Sequence, residues 1–128
     1  MMAASPAAAA TDIFGLWATQ KNNGRVMVEP CGAAVCARVV DGNQLRANPD
    51  QKDVHNPDPA KRDRRVKGLL ILDGYSGGPQ QWSGGSIYDP QTGDQSHNST
   101  LTLVAPDTLK VRGCRLFFCR SEIWIRVR

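Results

Sequence analysis

The chain has 128 residues, room for one domain and little more. Charged residues are 22% and apolar ones 41%, which excludes fibrous and collagen-like classes, and no apolar run approaches the ~18 residues of a membrane-spanning helix. A formal charge of +4 does not by itself imply a nucleic-acid partner.

Residues 1–11 begin Met1-Met2-Ala3-Ala4-Ser5-Pro6 and run into four alanines. With no basic n-region and no long apolar stretch they read as a disordered remnant of an export signal, or a tag, ahead of a single domain over 12–128. Short β-like runs follow at 15–20, 25–30, 35–41, 66–72, 84–88, 99–104, 109–113 and 121–128. Apolar residues alternate in several: Val26 and Val28, Leu101 and Leu103, Leu109 and Val111. In the last run Ile123, Ile125 and Val127 share one face and Trp124, Arg126 and Arg128 the other. Asn22-Asn23-Gly24, Asp41-Gly42-Asn43, Asp73-Gly74, the Asp89-Pro90 to Gly93 stretch and Pro106-Asp107 supply the turns between them. The fold class this predicts is all-β, a small up-and-down antiparallel β-barrel of about eight strands whose closure removes exposed edges. A two-sheet sandwich is the alternative. In the barrel, Val26, Val28, Leu69, Ile71, Leu101, Leu103, Ile123 and Ile125 are expected to face inward. The segment 42–65 is the exception, a long loop rich in Asn, Asp, Pro and Arg.

Four cysteines stand as Cys31-x4-Cys36 and Cys114-x4-Cys119. Zinc sites favour tighter, more polar Cys pairs, so disulfides lead over buried thiols and over metal. Three connectivities are open. Two local bridges are preferred, because cysteines facing each other across a short hairpin loop have a suitable Cα separation. Disulfides point to the periplasm or the cell exterior.

Several spaced residues together resemble a bacterial family, the domain of unknown function 2147, over nearly the whole chain. They are Gly15-Leu16-Trp17, Pro30-Cys31-Gly32 with Cys36, Asp53-x2-Asn56-Pro57-x4-Arg62, and Gly68-Leu69-x-Ile71-Leu72. Downstream come Trp82-x-Gly84-Gly85-x-Ile87-Tyr88-Asp89-Pro90-x2-Gly93, Leu109-x-Val111-Arg112-Gly113 and Trp124-x-Arg126. The resemblance implies a small exported bacterial protein with a lipocalin-like (calycin) barrel, and it brings no activity. Family members often carry Gly-Lys-Tyr after the Asp-Pro turn; here Gly93-Asp94-Gln95 lacks that cation and aromatic. Calycins also resemble one another in an early Gly-x-Trp crossed by an Arg of the last strand. Trp17 and Arg126 match in type and place, which implies a structural pair.

Candidate chemistry concentrates at 50–67, which holds Asp50, Asp53, His55, Asn56, Asp58, Arg62, Arg64 and Arg65. One reading makes Arg62 and Arg64, with Trp82 and Tyr88, contacts for a ligand head group at the barrel mouth. The other makes the segment a loop tied down by its own Asp–Arg pairs. A hydrolase would need His55 with Asp53 or Asp58 beside a nucleophile, and no such constellation is recognisable. No metal site and no cofactor motif is found; three scattered Asp fall short of a calcium site. Basic residues at Lys110, Arg112, Arg115, Arg120, Arg126 and Arg128 suit a solvated face or contact with anionic envelope lipid rather than nucleic acid. The expectation is an exported, non-enzymatic, monomeric barrel that binds a small apolar or amphipathic ligand such as a fatty acid. The alternative is an envelope structural or interaction module with a filled barrel.

Overall fold

The computed structural model describes residues 12–21, 23–115 and 118–128; the expected export remnant at 1–11, and Phe117 at the last hairpin, lie outside these. Eight strands follow in chain order: β1 Gly15–Ala18, β2 Arg25–Cys31, β3 Ala34–Asp41, β4 Leu70–Gly77, β5 Gln81–Asp89, β6 Asp94–Ala105, β7 Thr108–Arg115 and β8 Phe118–Arg126. Each pairs antiparallel with the next, and β1 pairs with β8, so the sheet is a closed up-and-down barrel. The sandwich alternative is thereby set aside. Between β3 and β4 lie a short helix, α1 Asn43–Ala47, and a 3-10 turn, Pro59–Lys61.

Strand bounds depart from expectation where turn chemistry is put to another use. Asp73-Gly74 was expected to end a strand at residue 72. Instead it lies inside β4, where Gly74 takes a φ of 78° and the pairing continues through Asp73↔Ser86 and Ser76↔Ser83. The reversal comes at residues 78–80, after which Trp82 already belongs to β5. Gly85 has a packing reason to lack a side chain: a Cβ there would lie 2.3 Å from Cδ1 of Tyr75, whose ring fills the barrel across from it.

The interior is mostly apolar over one half of the barrel, where Ser99 is the buried polar side chain of β6. Trp17, Val28, Ala37, Leu72, Tyr75, Leu101 and Leu109 are at most 1% exposed and form one cluster with Val26, Val111 and Trp124. Val26, Val28, Leu69, Ile71, Leu101 and Leu103 are buried, in line with the pattern of alternation. Ile123 and Ile125 correct it. They are 37% and 50% exposed on the outer wall, while Trp124 at 2% points inward. The reason is register: Trp17 lies opposite Arg126, so the face of β8 that carries Arg126 also carries Trp124 into the core.

One end of the barrel is closed and the other open. At the closed end Ile13 is buried, and the Trp17 indole donates to its carbonyl at 2.9 Å. The Arg126 guanidinium lies 4.4 Å from the centre of the Trp17 ring. It donates to the carbonyls of Asp12, Phe14 and Pro106 at 2.6, 3.1 and 3.1 Å, tying chain start, last strand and β6–β7 turn together. Both disulfides are local, Cys31–Cys36 in the β2–β3 hairpin at the closed end and Cys114–Cys119 across β7 and β8 at the open end. Among the described residues no helix is long and apolar enough to cross a membrane.

Candidate functional site

The open end is framed by the β1–β2, β3–β4, β5–β6 and β7–β8 connections, and the long 42–69 segment folds over part of it. Asp53 pins that segment down. Its carboxylate is fully buried and accepts from Tyr88 Oη at 2.6 Å, Arg64 Nη2 at 2.9 Å and Asn56 Nδ2 at 2.9 Å. Burial alone would raise the Asp53 carboxyl; the three donors outweigh it and hold the group below the usual carboxylate value. Tyr88 is pushed up to about 12, first by burial and then by the adjacent Asp53 carboxylate. The Asn56 carbonyl accepts from Arg62 Nε at 2.7 Å, and its side-chain oxygen accepts from the Asp58 N–H at 2.9 Å. Gly93, at φ +81°, lets the β5–β6 turn press against this knot: a Cβ there would come within 2.0 Å of the His55 carbonyl oxygen.

This geometry explains why widely spaced residues go together. Asp53, Asn56 and Arg62 on the long segment and Tyr88 and Gly93 on the β5–β6 corner form one clamp. His55 is exposed and offers its carbonyl to the packing, while Asp58 caps the 3-10 turn by accepting from the Ala60 N–H at 3.0 Å. The clamp thus uses Asp53 and Asp58 separately from the His55 side chain.

Beside the clamp lies a chamber of about 180 Å³. Barrel residues Val26, Val39, Ile71, Ile87 and Trp124 form its apolar wall, and Leu45 of α1 with Val66 form its roof. It opens into a wider vestibule of about 730 Å³ on the β6–β8 side, lined by Ser96, Val111, Phe118 and Arg120 among others. Lys21, Ile87, Asp89 and Glu122 line both, so the two spaces adjoin. Residues 42–69 make the chamber possible: without Leu45 and Val66 it would be bare barrel mouth.

The four residues read from sequence as ligand contacts are not gathered at one place. Tyr88 lines the chamber; Arg62 and Arg64 line neither space and are engaged with Asn56 and Asp53. Trp82 is 6% exposed and packs by Gly78 at the β4–β5 hairpin, toward the closed end. Sequence reasoning missed Glu122, Asp89, Leu45 and Val66 as mouth residues. The inward side of Glu122 was readable from its spacing of two from Trp124, once Trp124 is known to point in. The row of basic residues does not form one face. Lys110 and Arg112 are exposed on β7, Arg120 edges the vestibule, Arg126 turns in across Trp17, and Arg128 is bound to Asp107.

The fold has a solved counterpart. The chain superposes on HP1028 from Helicobacter pylori, described as belonging to the lipocalin family, with a TM-score of 0.81 at 18% identity over 91% of this chain and 84% of that one. At that identity the likeness establishes the barrel alone. A search among curated proteins finds no match. The model of a family described as an uncharacterised protein conserved in bacteria (DUF2147) matches residues 15–126, and the chain belongs to that family.

Proposed function

We propose that this protein is a non-enzymatic binding barrel of the periplasm or cell exterior, and that a small apolar or amphipathic molecule occupies the chamber at its open end. The observation that carries the reading is the contrast between the two ends. The closed half is filled by Trp17, Tyr75, Leu72 and Leu101, whereas the open half keeps an apolar hollow roofed by a deliberately clamped loop. Two local disulfides agree with an oxidising compartment. Tyr88 serves as a wall residue, and Arg62 and Arg64 act through the clamp to hold the roof. A fatty acid is one member of the ligand class that the barrel alone suggests. A filled-barrel interaction module is the second reading, favoured by the small volume of the chamber compared with the ~300–1,000 Å³ of ordinary ligand pockets.

Native mass spectrometry separates the two. Protein exported by a bacterial host and purified without reductant should show a mass four hydrogens below the reduced chain, from its two disulfides, and should release a small molecule on activation or take one up from a panel of short amphipaths. A bare chain that takes up none of the panel favours the interaction module and defeats the binding reading.

A further inference from the structure

We propose that the barrel pairs with a second copy of itself: the β8 edge from Cys119 to Ile123 adds, antiparallel, to the same edge of another chain about a two-fold axis at Ser121. The proposal does not depend on what the chamber holds.

The edge exists because β8 outruns its neighbour. β1 pairs with β8 through Trp17↔Arg126 and Ala18↔Ile125, and β1 ends there. β8 begins at Phe118 and pairs with β7 without a bulge from Arg115↔Phe118 to Thr108↔Ile125. Its first half therefore runs past β1 with one side uncovered. Alternation decides which groups point to that side. The Arg126 N–H goes to Asp107 on the β7 side, whereas the N–H groups of Val127 and Ile123 go to Leu16 and to the Gln20 side chain. Cys119 and Ser121 are in step with Ile123, so their N–H and C=O groups turn the same way. Among the described residues these groups meet no partner. Both residues are exposed, and the Cys114–Cys119 bridge ties the edge to β7. Sheets commonly blunt such an edge with a proline or a bulge, and this stretch of β8 has neither.

Charge selects the occupant and the register. Arg120 and Glu122 share the inward face of β8 at the vestibule, and among the described residues neither has an ion-pair partner. The Trp124 indole N–H holds one Glu122 oxygen at 2.6 Å and leaves the other for a cation. With Ser121 opposite Ser121, Arg120 of each copy stands opposite Glu122 of the other, in the closer, non-hydrogen-bonded kind of pair. Moving the axis one residue either way sets arginine against arginine or glutamate against glutamate. In the matched register Ser121 bonds Ser121 and Cys119 bonds Ile123, whose N–H leaves Gln20 for the Cys119 carbonyl. Arg120-Ser121-Glu122 is thus its own antiparallel complement, which favours a second copy over an unrelated extended segment. The contact is short, so the dimer is weak, and the monomer expected from the sequence is its dilute state.

Sedimentation velocity of the full oxidised chain should show monomer giving way to dimer between about 5 µM and about 1 mM, the range of a weak, small interface. Over that range hydrogen exchange should slow at the Cys119 and Ser121 amides of the unaltered chain. Arg120→Glu and Glu122→Arg should each weaken the dimer at least about tenfold, because symmetry replaces both opposite-charge pairs with like-charge pairs. An equimolar mixture of the two variants should dimerise like the parent. Ser121→Pro removes the N–H at the axis and none of the β7 ladder, so it should stay monomeric. Thermal midpoints near that of the parent establish that the variants fold. Monomer at every concentration overturns the second copy as occupant. A dimer that survives Ser121→Pro overturns the edge; should that variant not fold, exchange at Cys119 and Ser121 that ignores concentration overturns it equally. Single variants as tight as the parent, or a mixture that stays monomeric, overturn the register.

Discussion

Asp53 sits at 0% exposure on a loop, a placement that only its three donors make tolerable. Its folded-state pKa lies below the unfolded value of ~3.9, so its contribution to stability is complete above that pH and is lost as pH falls through the folded value. Tyr88 works in the opposite direction. With its pKa raised to about 12, its contribution is full below the unfolded value of ~10 and disappears as pH climbs toward 12. Urea titrations across pH should show both limbs. Asp53→Asn should cost about 1–3 kcal/mol at neutral pH and flatten the acid limb. Tyr88→Phe should soften the alkaline limb without removing it, since burial pushes Tyr75 up to about 12 as well. An unchanged acid limb in Asp53→Asn would show that the clamp is not what acid breaks. Arg126 offers a second residue-level test. Lys keeps the charge but cannot reach three carbonyls while lying flat on Trp17, so Arg126→Lys should cost about 1–2 kcal/mol.

Among elements, the 42–69 segment depends on a corner it is far from in sequence. Gly93 combines a positive φ with no room for a Cβ against the His55 carbonyl, so Gly93→Ala should lift the segment off the β5–β6 turn. Hydrogen exchange should then speed up at Asp53, Asn56 and Val66 while the amides of β6 and β7 keep their protection; protection lost evenly over the barrel would contradict a local clamp. The disulfides are element-level staples too. Each closes a loop with a sequence separation of 5, for which chain entropy gives about 2 kcal/mol per bridge. Strand number, order and the local pairing of cysteines were legible in the sequence, because period-2 alternation and short turns restrict each strand to its neighbour. Two things were not. Asp73-Gly74 has the chemistry of a hairpin turn, and only the tertiary pairing Asp73↔Ser86 makes it a kink within β4. In β8 the purely aliphatic face looked like the core, yet one residue decides it: with Arg126 laid across Trp17, Ile123 and Ile125 have to face out. The two sequence expectations, Arg126 over Trp17 and Ile125 inward, were incompatible on a strand whose side chains alternate.

At the scale of the whole molecule the barrel is divided into a packed half and a hollow half, and that division is what sequence could not supply. The motif residues of the long segment were visible, but both readings of them stayed open, because a run of Asp, Asn and Arg has the same appearance whether it binds a guest or binds itself. Only the distances to Asp53 separate these. The chamber was hidden for a related reason: its walls are ordinary β-strand aliphatics, and its roof, Leu45 and Val66, comes from a stretch without β periodicity. The division makes a prediction about energetics. Leu101 is 0% exposed in the packed half, so Leu101→Ala leaves a cavity and should cost about 2–5 kcal/mol. Val39 is only partly buried against the same core and borders the hollow. There Val39→Ala should cost less than about 1.5 kcal/mol, and Val39→Phe should cost little, because the added ring enters space that is already empty. The same Val39→Phe chain should lose uptake of short amphipaths while Leu101→Ala, measured well below its unfolding midpoint, keeps it. Urea unfolding and calorimetry on the two variants therefore give opposite patterns from opposite ends of one barrel: uptake lost with little destabilisation, and uptake kept with much. Equal destabilisation by Val39→Phe and Leu101→Ala would mean that the open end is as tightly filled as the closed one, and the interaction-module reading would then take precedence.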